Sequence, residues 1–103
     1  LERYDPSTNE WEEEAVAPMP TARNYVRMAM LDGKLYAAGG RNEADLAISS
    51  VVERYDLATK AWEAVAPMAT ARYLHATAVL EGKLYAVGGD SDDDGFLSSV
   101  ERY

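Results

Sequence analysis

Short hydrophobic segments alternate with turn signals along the whole chain. "RMAML" runs into Asp32-Gly33 and then into "KLYAA", which predicts two strands joined by a tight hairpin with positive φ at the turn. The second occurrence has Glu81-Gly82 at the turn. "VVERYD" and "AWEAV" predict two further strands, and "LATK" separates them as "PSTN" does in the earlier occurrence. No stretch of adequate length has helical periodicity. The pattern therefore predicts an all-β chain of short antiparallel strands.

The predicted strands recur with a period of about 50 residues. The recurring pairs are "ERYDPSTNEW" (2–11) and "ERYDLATKAW" (53–62), "APMPTAR" (17–23) and "APMATAR" (66–72), and "GKLYAAGG" (33–40) and "GKLYAVGG" (82–89), with a third "ERY" at 101–103. We divide the chain into two repeats of four antiparallel strands, 1–52 and 53–103. The repeats are circularly offset, so that the chain starts and ends in the middle of a predicted four-stranded sheet.

The strands "MAML" and "HATAVL" are nearly continuous runs of apolar and small residues. Such runs are typical of a strand that is covered on both faces, which a single four-stranded sheet cannot provide but stacked sheets can. A period near 50 with four strands per repeat predicts propeller blades. The glycine pairs 39–40 and 88–89 would end the second strand where the backbone must turn or is closely approached. Loop-like segments follow both pairs, which argues against a phosphate-binding loop at a helix N-terminus.

Four recurring features together resemble the kelch repeat. They are the glycine pair, a tyrosine three residues before it (Tyr36, Tyr85), "ERYD", and a spaced tryptophan (Trp11, Trp62). The form "APM-x-TAR…GKLYAVGG…LSSVERYD…W" is most similar to the repeats of BTB–kelch substrate adaptors. The resemblance implies kelch-type blades of a six-bladed β-propeller whose loops bind a protein or peptide. It also implies that the repeated aromatic residues pack between blades.

The resemblance implies six partner-binding candidates at three repeated places: the arginine entering the inner strand, the residue after the glycine pair, and the serine before the third strand. These candidates are Arg23, Arg72, Arg41, Asp90, Ser50 and Ser99. We expect Arg23 and Arg72 to be partly accessible near one face or the mouth of the central channel. The extra valine in "SSVVERY" leaves the register at Ser50 open. The positions after the glycine pairs lack the aromatic residue that is often found there in such adaptors.

Composition and charge narrow the range of functions. The net charge is −8, from 18 acidic and 10 basic residues, so phosphate backbones and anionic membranes would repel the chain and we expect no nucleic-acid or membrane partner. The chain has no cysteine and one histidine. His75 lies within an apolar strand, where a satisfied core residue is expected. We find no nucleophile–base pair, so we expect a non-catalytic protein without a cofactor. A cytoplasmic location is favoured, although no segment decides it.

A calcium-binding loop is an alternative interpretation of one acidic segment. "DSDDDGFLSSVE" at 90–101 fits the spacing D-x-D-x-D-G-x5-E, with Asp90, Asp92, Asp94 and Glu101 as potential oxygen ligands. However, Gly95 and "LSSVE" also occupy ordinary positions of the repeat, and Glu101 should point from a strand. We therefore favour a solvated acidic tip without a metal, and expect any calcium binding to be weak.

Two functions of different classes follow from the repeats. The first is a protein-interaction module that binds a protein or peptide through propeller loops. The second is a structural unit, either a self-assembling two-blade fragment or an engineered building block of a six-bladed propeller. Propellers close with about four to eight blades, so two repeats cannot form a ring. Three chains would supply six blades, and we expect a homotrimer in which one "ERY" end per chain is displaced, frayed or disordered. The competing possibility is an excerpt of a longer single-chain propeller.

Overall fold

The computed structural model describes residues 2–12, 18–42, 44–91 and 95–103. These residues form eleven β-strands and no helix. The strands are β1 (Arg3–Asp5), β2 (Glu10–Glu12), β3 (Arg27–Leu31), β4 (Lys34–Ala38), β5 (Val52–Asp56), β6 (Ala61–Val65), β7 (Ala76–Leu80), β8 (Lys83–Val87), β9 (Asp90–Ser91), β10 (Gly95–Phe96) and β11 (Val100–Arg102). Every pairing between them is antiparallel, which confirms the all-β prediction.

Strands β3 to β6 form a complete four-stranded sheet in sequence order, which we call blade 1. The hairpin between β3 and β4 turns at Asp32 and Gly33, with φ values of 50° and 74°. Positive φ at both central residues matches the right-handed twist of the flanking strands. Both the predicted hairpin and the predicted strand order are therefore confirmed.

Strands β7, β8 and β11 form a three-stranded sheet, which we call blade 2, and β1 and β2 form a separate hairpin. This hairpin has the register of β5 and β6, because Tyr4 lies opposite Trp11 as Tyr55 lies opposite Trp62. The ring centroids are 5.4 Å apart in both pairs. The β1–β2 hairpin is thus equivalent to the outer half of a blade.

The apolar core lies where blade 2 packs against blade 1. Leu84 of blade 2 joins a buried cluster with blade 1 residues that include Tyr36 and Val52. This burial of Tyr36 agrees with the expected packing between blades. A cavity of about 70 Å³ adjoins the cluster, lined by residues of both blades and by Met68 of the segment that connects them. Burial of such side chains drives the association of repeats that cannot cover their own faces.

The inner strands are less covered than their sequence predicts. β3 packs against β7 of blade 2, but Met30 of β3 is 58% exposed. The prediction that these strands are covered on both faces is wrong for one chain, because the two blades cover each other on one side only.

At Gly39, Gly40 and Gly89, backbone from another segment passes too close for a side chain, whereas Gly88 has only an ordinary contact. Gly39 has a φ of 69°, and a Cβ there would lie 2.4 Å from the carbonyl oxygen of Arg72 in the next repeat. A Cβ on Gly89 would lie 2.6 Å from the carbonyl oxygen of Tyr73. Both the turn and the close approach expected from the sequence are therefore present.

Candidate functional site

One end of the two blades gathers the residues that precede the inner strands and follow the second strands. Because the strands are antiparallel, β3 and β7 begin at the end where β4 and β8 finish. The resulting surface, residues 24–25, 41–42, 44–48, 73–74 and 90–91, is called the loop face below. Backbone bridges join Asn24 to Arg41, Arg41 to Ile48, and Tyr73 to Asp90. The structure thus brings Arg41 and Asp90, two of the predicted site residues, to the same end of the sheets.

Arg41 lies against two tyrosine rings on the loop face. Its Cζ atom is 5.5 Å from the ring centroid of Tyr25 and 5.3 Å from that of Tyr73. The two ring centroids are 5.8 Å apart, at an interplanar angle of 59°. Distances below about 6 Å allow the guanidinium to interact favourably with the π faces. Tyr25 and Arg41 belong to the first repeat and Tyr73 to the second, so this cluster spans the contact between repeats.

The backbone at Tyr25 is in an uncommon conformation. Its φ is 53°, and the equivalent residue of the second repeat, Leu74, has a φ of 56°. Bulky residues rarely adopt positive φ, and such strain persists only where the surrounding structure fixes it. Two backbone hydrogen bonds, of 2.9 and 2.8 Å, tie the neighbouring Asn24 to Arg41. The strained backbone presents Tyr25 to solvent, where 46% of the residue is exposed.

The side chain of Arg23 is buried, and the prediction that it is partly accessible is wrong. Its side chain is 1% exposed and its guanidinium lies 3.0 Å from the carboxylate of Glu53. It also donates hydrogen bonds of 2.7 and 2.8 Å to the carbonyl oxygens of Gly39 and Val51. Burial lowers the pKa of Arg23, while the carboxylate of Glu53 opposes this effect. Arg23 therefore ties β4 and β5 together where they meet the loop face.

Arg72 has the same role in blade 2, and its predicted accessibility is also wrong. Its side chain is 0% exposed and bonds to Glu101 over 2.7 Å. It also donates to the carbonyl oxygens of Gly88 and Ser99 over 3.0 and 3.1 Å. A buried carbonyl oxygen that has no partner in a strand requires a hydrogen-bond donor. A guanidinium supplies several N–H donors in one plane and can satisfy more than one such oxygen. Both arginines are thus structural in this pair of repeats.

The two predicted serines occupy different places. The Ser99 hydroxyl accepts a hydrogen bond of 3.2 Å from Arg72. The equivalent of Ser99 is Val51, whose carbonyl receives Arg23, so the match between Ser50 and Ser99 is wrong by one residue. The carbonyl of Ser50 accepts the backbone N–H of Met68 over 2.9 Å. The extra valine thus shifts the match between the two repeats by one residue. Ser50 holds the segment that leads into blade 2.

Glu101, the last ligand of the possible calcium loop, is engaged elsewhere. Its carboxylate accepts backbone N–H groups of Ala69 and Thr70 over 2.6 and 3.1 Å, in addition to Arg72. Burial raises the pKa of Glu101, but these hydrogen bonds outweigh it and hold the pKa below its ordinary value. Asp92 and Asp94 lie outside the described residues. Among the residues that are described, no three His, Cys, Asp or Glu side chains gather as a metal site would require.

His75 is buried as expected of a core residue, with 2% of it exposed. Neither ring nitrogen makes a well-formed hydrogen bond in the described part of the chain, and the nearby Ala38 carbonyl interacts with the ring only weakly, so His75 is not the fully satisfied core residue that was expected. Burial, followed by the positive charges of Arg72 and Arg27, lowers its pKa to about 4. The ring is therefore neutral at physiological pH.

Sequence reasoning missed Tyr25 and Tyr73 because they do not recur. Asn24 is the equivalent of Tyr73 in the first repeat, and Leu74 is the equivalent of Tyr25 in the second. Both tyrosines lie within two residues of an arginine that recurs, Arg23 or Arg72. A comparison of the positions that differ between the two repeats close to these arginines would have identified the tyrosines.

No helix long and apolar enough to cross a membrane occurs in the described ranges. The Kelch motif family model matches residues 22–69 and 71–103. Kelch-like protein 33 of Homo sapiens is 45% identical over 60 residues, which are 58% of this chain and 10% of that protein. Kelch-like protein 21 of Homo sapiens is 41% identical over 59 residues, 57% of this chain and 9% of that protein.

Among solved structures, one titled "Structure of YjhT" matches with a TM-score of 0.70 and 28% identity, covering 80% of this chain and 24% of that chain. The chain spans about a tenth of the length of the curated relatives it matches. The family model covers more than half of the chain, and the sheets have the order and turns of propeller blades. The chain therefore belongs to the Kelch motif family.

Proposed function

We propose that the chain is a non-catalytic interaction module that binds a protein or peptide through its loop face. The observation that carries this proposal is the cluster in which the guanidinium of Arg41 lies against the rings of Tyr25 and Tyr73. Arginine and tyrosine are the residue types that most often dominate binding energy at protein interfaces. They are also able to bury apolar area and donate hydrogen bonds at the same time.

The surroundings of the cluster support a recognition surface. Leu46 and Leu74 are exposed on the loop face, which places apolar side chains beside the cation and the rings. The backbone bridge from Tyr73 to Asp90 brings an acidic residue to the same end. Loops that a rigid sheet holds in place commonly carry binding residues. In this proposal Arg23 and Arg72 act beneath the surface, where they hold the loops.

The test is selection of peptides from a displayed random library on the immobilised chain, followed by affinity measurements with variants. Arg41→Ala and Tyr25→Ala should each weaken selected peptides by tenfold or more, the size of a change of about 1.4 kcal/mol. Lys83→Ala is the matched control, because Lys83 is an exposed cation that follows the β7–β8 turn at the opposite end. Equal effects of all three variants would contradict the loop face as the binding surface.

Self-assembly is the second candidate, and one observation favours it. Trp11 in the β1–β2 hairpin is 66% exposed, and Tyr4 beside it is also exposed, whereas the equivalent Tyr55 within blade 1 is 2% exposed. No strand of the described residues pairs with the outer edge of β11. Exposed apolar residues beside an unpaired strand edge favour association with further sheets.

A homotrimer with six blades is the assembly that the repeat count predicts. Light scattering of the purified 103-residue chain over a hundredfold range of concentration measures its mass directly. A mass of three chains would support the trimer. A mass of one chain, together with cooperative thermal unfolding, would exclude it.

A further inference from the structure

We propose that His75 is an acid-sensitive contact between blade 1 and blade 2, which keeps the blades together while its ring is neutral and separates them locally when the ring is protonated. His75 is 2% exposed, although it belongs to a segment that leads into an edge strand. A Cβ placed on Gly39 of the first repeat would lie 2.7 Å from its Cε1 atom. A Cβ placed on Gly89 of the second repeat would lie 2.8 Å from its own Cβ. The histidine is thus enclosed between the glycine pairs of the two repeats.

Among the described residues, the site offers a protonated ring too few hydrogen-bond acceptors. Both ring nitrogens lack a hydrogen bond to any residue that the structure describes. The ring lies near the carbonyl of Ala38, which favours the protonated form only weakly. A buried imidazolium has two N–H donors, and the Ala38 carbonyl could accept from only one of them, so the other would lack a partner among the described residues, which is costly in the interior.

The charges around the ring also oppose protonation. Arg27 of β3 donates a hydrogen bond of 2.8 Å from Nε to the carbonyl oxygen of His75, and Arg72 is three residues before it in sequence. Arg23 also lies nearby, because it donates a hydrogen bond to the carbonyl oxygen of Gly39. The two carboxylates on the packed elements are already paired, Glu53 with Arg23 and Glu101 with Arg72. On the side of Gly89, the chain continues to Asp90, whose backbone pairs with Tyr73.

These effects fix the direction of the pH dependence. Burial and the two arginines lower the pKa of His75 from 6.5 to about 4. Because the pKa is lowered in the closed state, the contact is fully favoured when the pH is above 6.5, the ordinary pKa. It weakens as the pH falls toward the pKa of the closed state. If the opened state restores the ordinary pKa, the ratio of opened to closed molecules rises about 20-fold between pH 7 and pH 5.

Separation of the blades would dismantle the cluster on the loop face. The N–H of Gly40 donates a hydrogen bond of 3.0 Å to the carbonyl of Arg72, which joins the two repeats beside His75. Tyr73 lies on one side of this contact, and Tyr25 and Arg41 lie on the other. Loss of the cluster would release a partner bound to the loop face in acid. This consequence rests on the proposed function, whereas the separation of the blades does not.

The first repeat supplies a matched substitution. Val26 occupies the place that His75 occupies in the second repeat, since each is the third residue after its arginine. Because an apolar residue serves at this place in blade 1, His75→Val removes the titrating group with a side chain that the fold already accepts. His75→Gln is a second variant that does not titrate in this range.

Amide hydrogen exchange measured by NMR at pH 7 and pH 5, corrected for intrinsic rates, tests the proposal. The Gly40 amide reports the contact between repeats, and the Asn24 amide, bonded to Arg41 within the first repeat, is the control. Protection of Gly40 should fall about 20-fold in the wild type. It should remain constant in His75→Val or His75→Gln, as should Asn24 in all proteins. A constant Gly40 in the wild type, the same fall in both variants, or an equal fall at Asn24 would overturn the proposal. No partner is needed, so the outcome is independent of the proposed function.

Discussion

Substitution of Gly39 by alanine measures how closely the two repeats approach each other. The φ of Gly39 is 69°, and an added Cβ would lie 2.4 Å from the Arg72 carbonyl oxygen and 2.7 Å from Cε1 of His75. The oxygen belongs to backbone and cannot rotate away as the end of a side chain would. Gly33 is the matched control, because its φ is 74° and no atom lies within 4 Å of an added Cβ.

The two substitutions share one cost and differ in another. Forcing alanine into the left-handed region costs about 1–2 kcal/mol in both variants. Gly39→Ala adds overpacking, which typically costs about 1–3 kcal/mol, and displaces the hydrogen bond from Gly40 to Arg72. We therefore expect Gly33→Ala to lower the free energy of unfolding by about 1–2 kcal/mol, and Gly39→Ala by about 2–5 kcal/mol.

Urea unfolding followed by tryptophan fluorescence and circular dichroism gives both values. The difference between the variants, about 1–3 kcal/mol, is the quantity that belongs to the contact between repeats. Equal losses in the two variants would refute the reasoning, because they would leave only backbone strain. If the free energy of unfolding of Gly39→Ala depends less steeply on urea concentration than that of the unsubstituted chain, the native state of this variant has opened at the contact.

Three further experiments have definite expected outcomes. Glu53→Gln should cost about 3 kcal/mol or more in urea unfolding, because it leaves the buried Arg23 without its carboxylate, whereas Glu63→Gln on an exposed pair should have little measurable effect. Trp62→Ala should destabilise the chain by about 2–4 kcal/mol and Trp11→Ala by much less, since Trp11 is largely exposed; equal losses would indicate that the first hairpin is covered. Thermal melts with calcium and with a chelator should nearly coincide; a stabilisation of about 2.7 kcal/mol at a hundredfold excess over the dissociation constant would establish a tight site.

The architecture was predictable because the turns and the strands recur together. Asp32-Gly33 has few conformations other than a tight hairpin, and its recurrence as Glu81-Gly82 fixes the same strand pair twice. The glycine pairs were also predictable, because glycine at a repeated place indicates a backbone constraint. These features depend on local chemistry, which the sequence contains in full.

The environment of the arginines was not predictable from their own position. An arginine at the start of a strand is compatible with a solvent-exposed site and with a buried ion pair. The deciding residue was Glu53, which is 30 positions away from Arg23 and recurs as Glu101 at 29 positions from Arg72. A cation and an anion that recur in step are the expected signature of a buried pair, since each requires the other in the interior.

The cluster of Arg41 with two tyrosines also has a consequence for how recognition could diversify. Both repeats contribute to this surface, so in the proposed function the unit that recognises a partner is the contact between two adjacent repeats and not a single repeat. Exchanging the order of two repeats would leave every strand and every buried arginine in place. It would nevertheless create a new surface, because Tyr25 would meet a different neighbour. Shuffling of repeats is therefore a route to new specificity in which the fold of each blade is kept, provided that the exchanged repeats preserve the packing between neighbours.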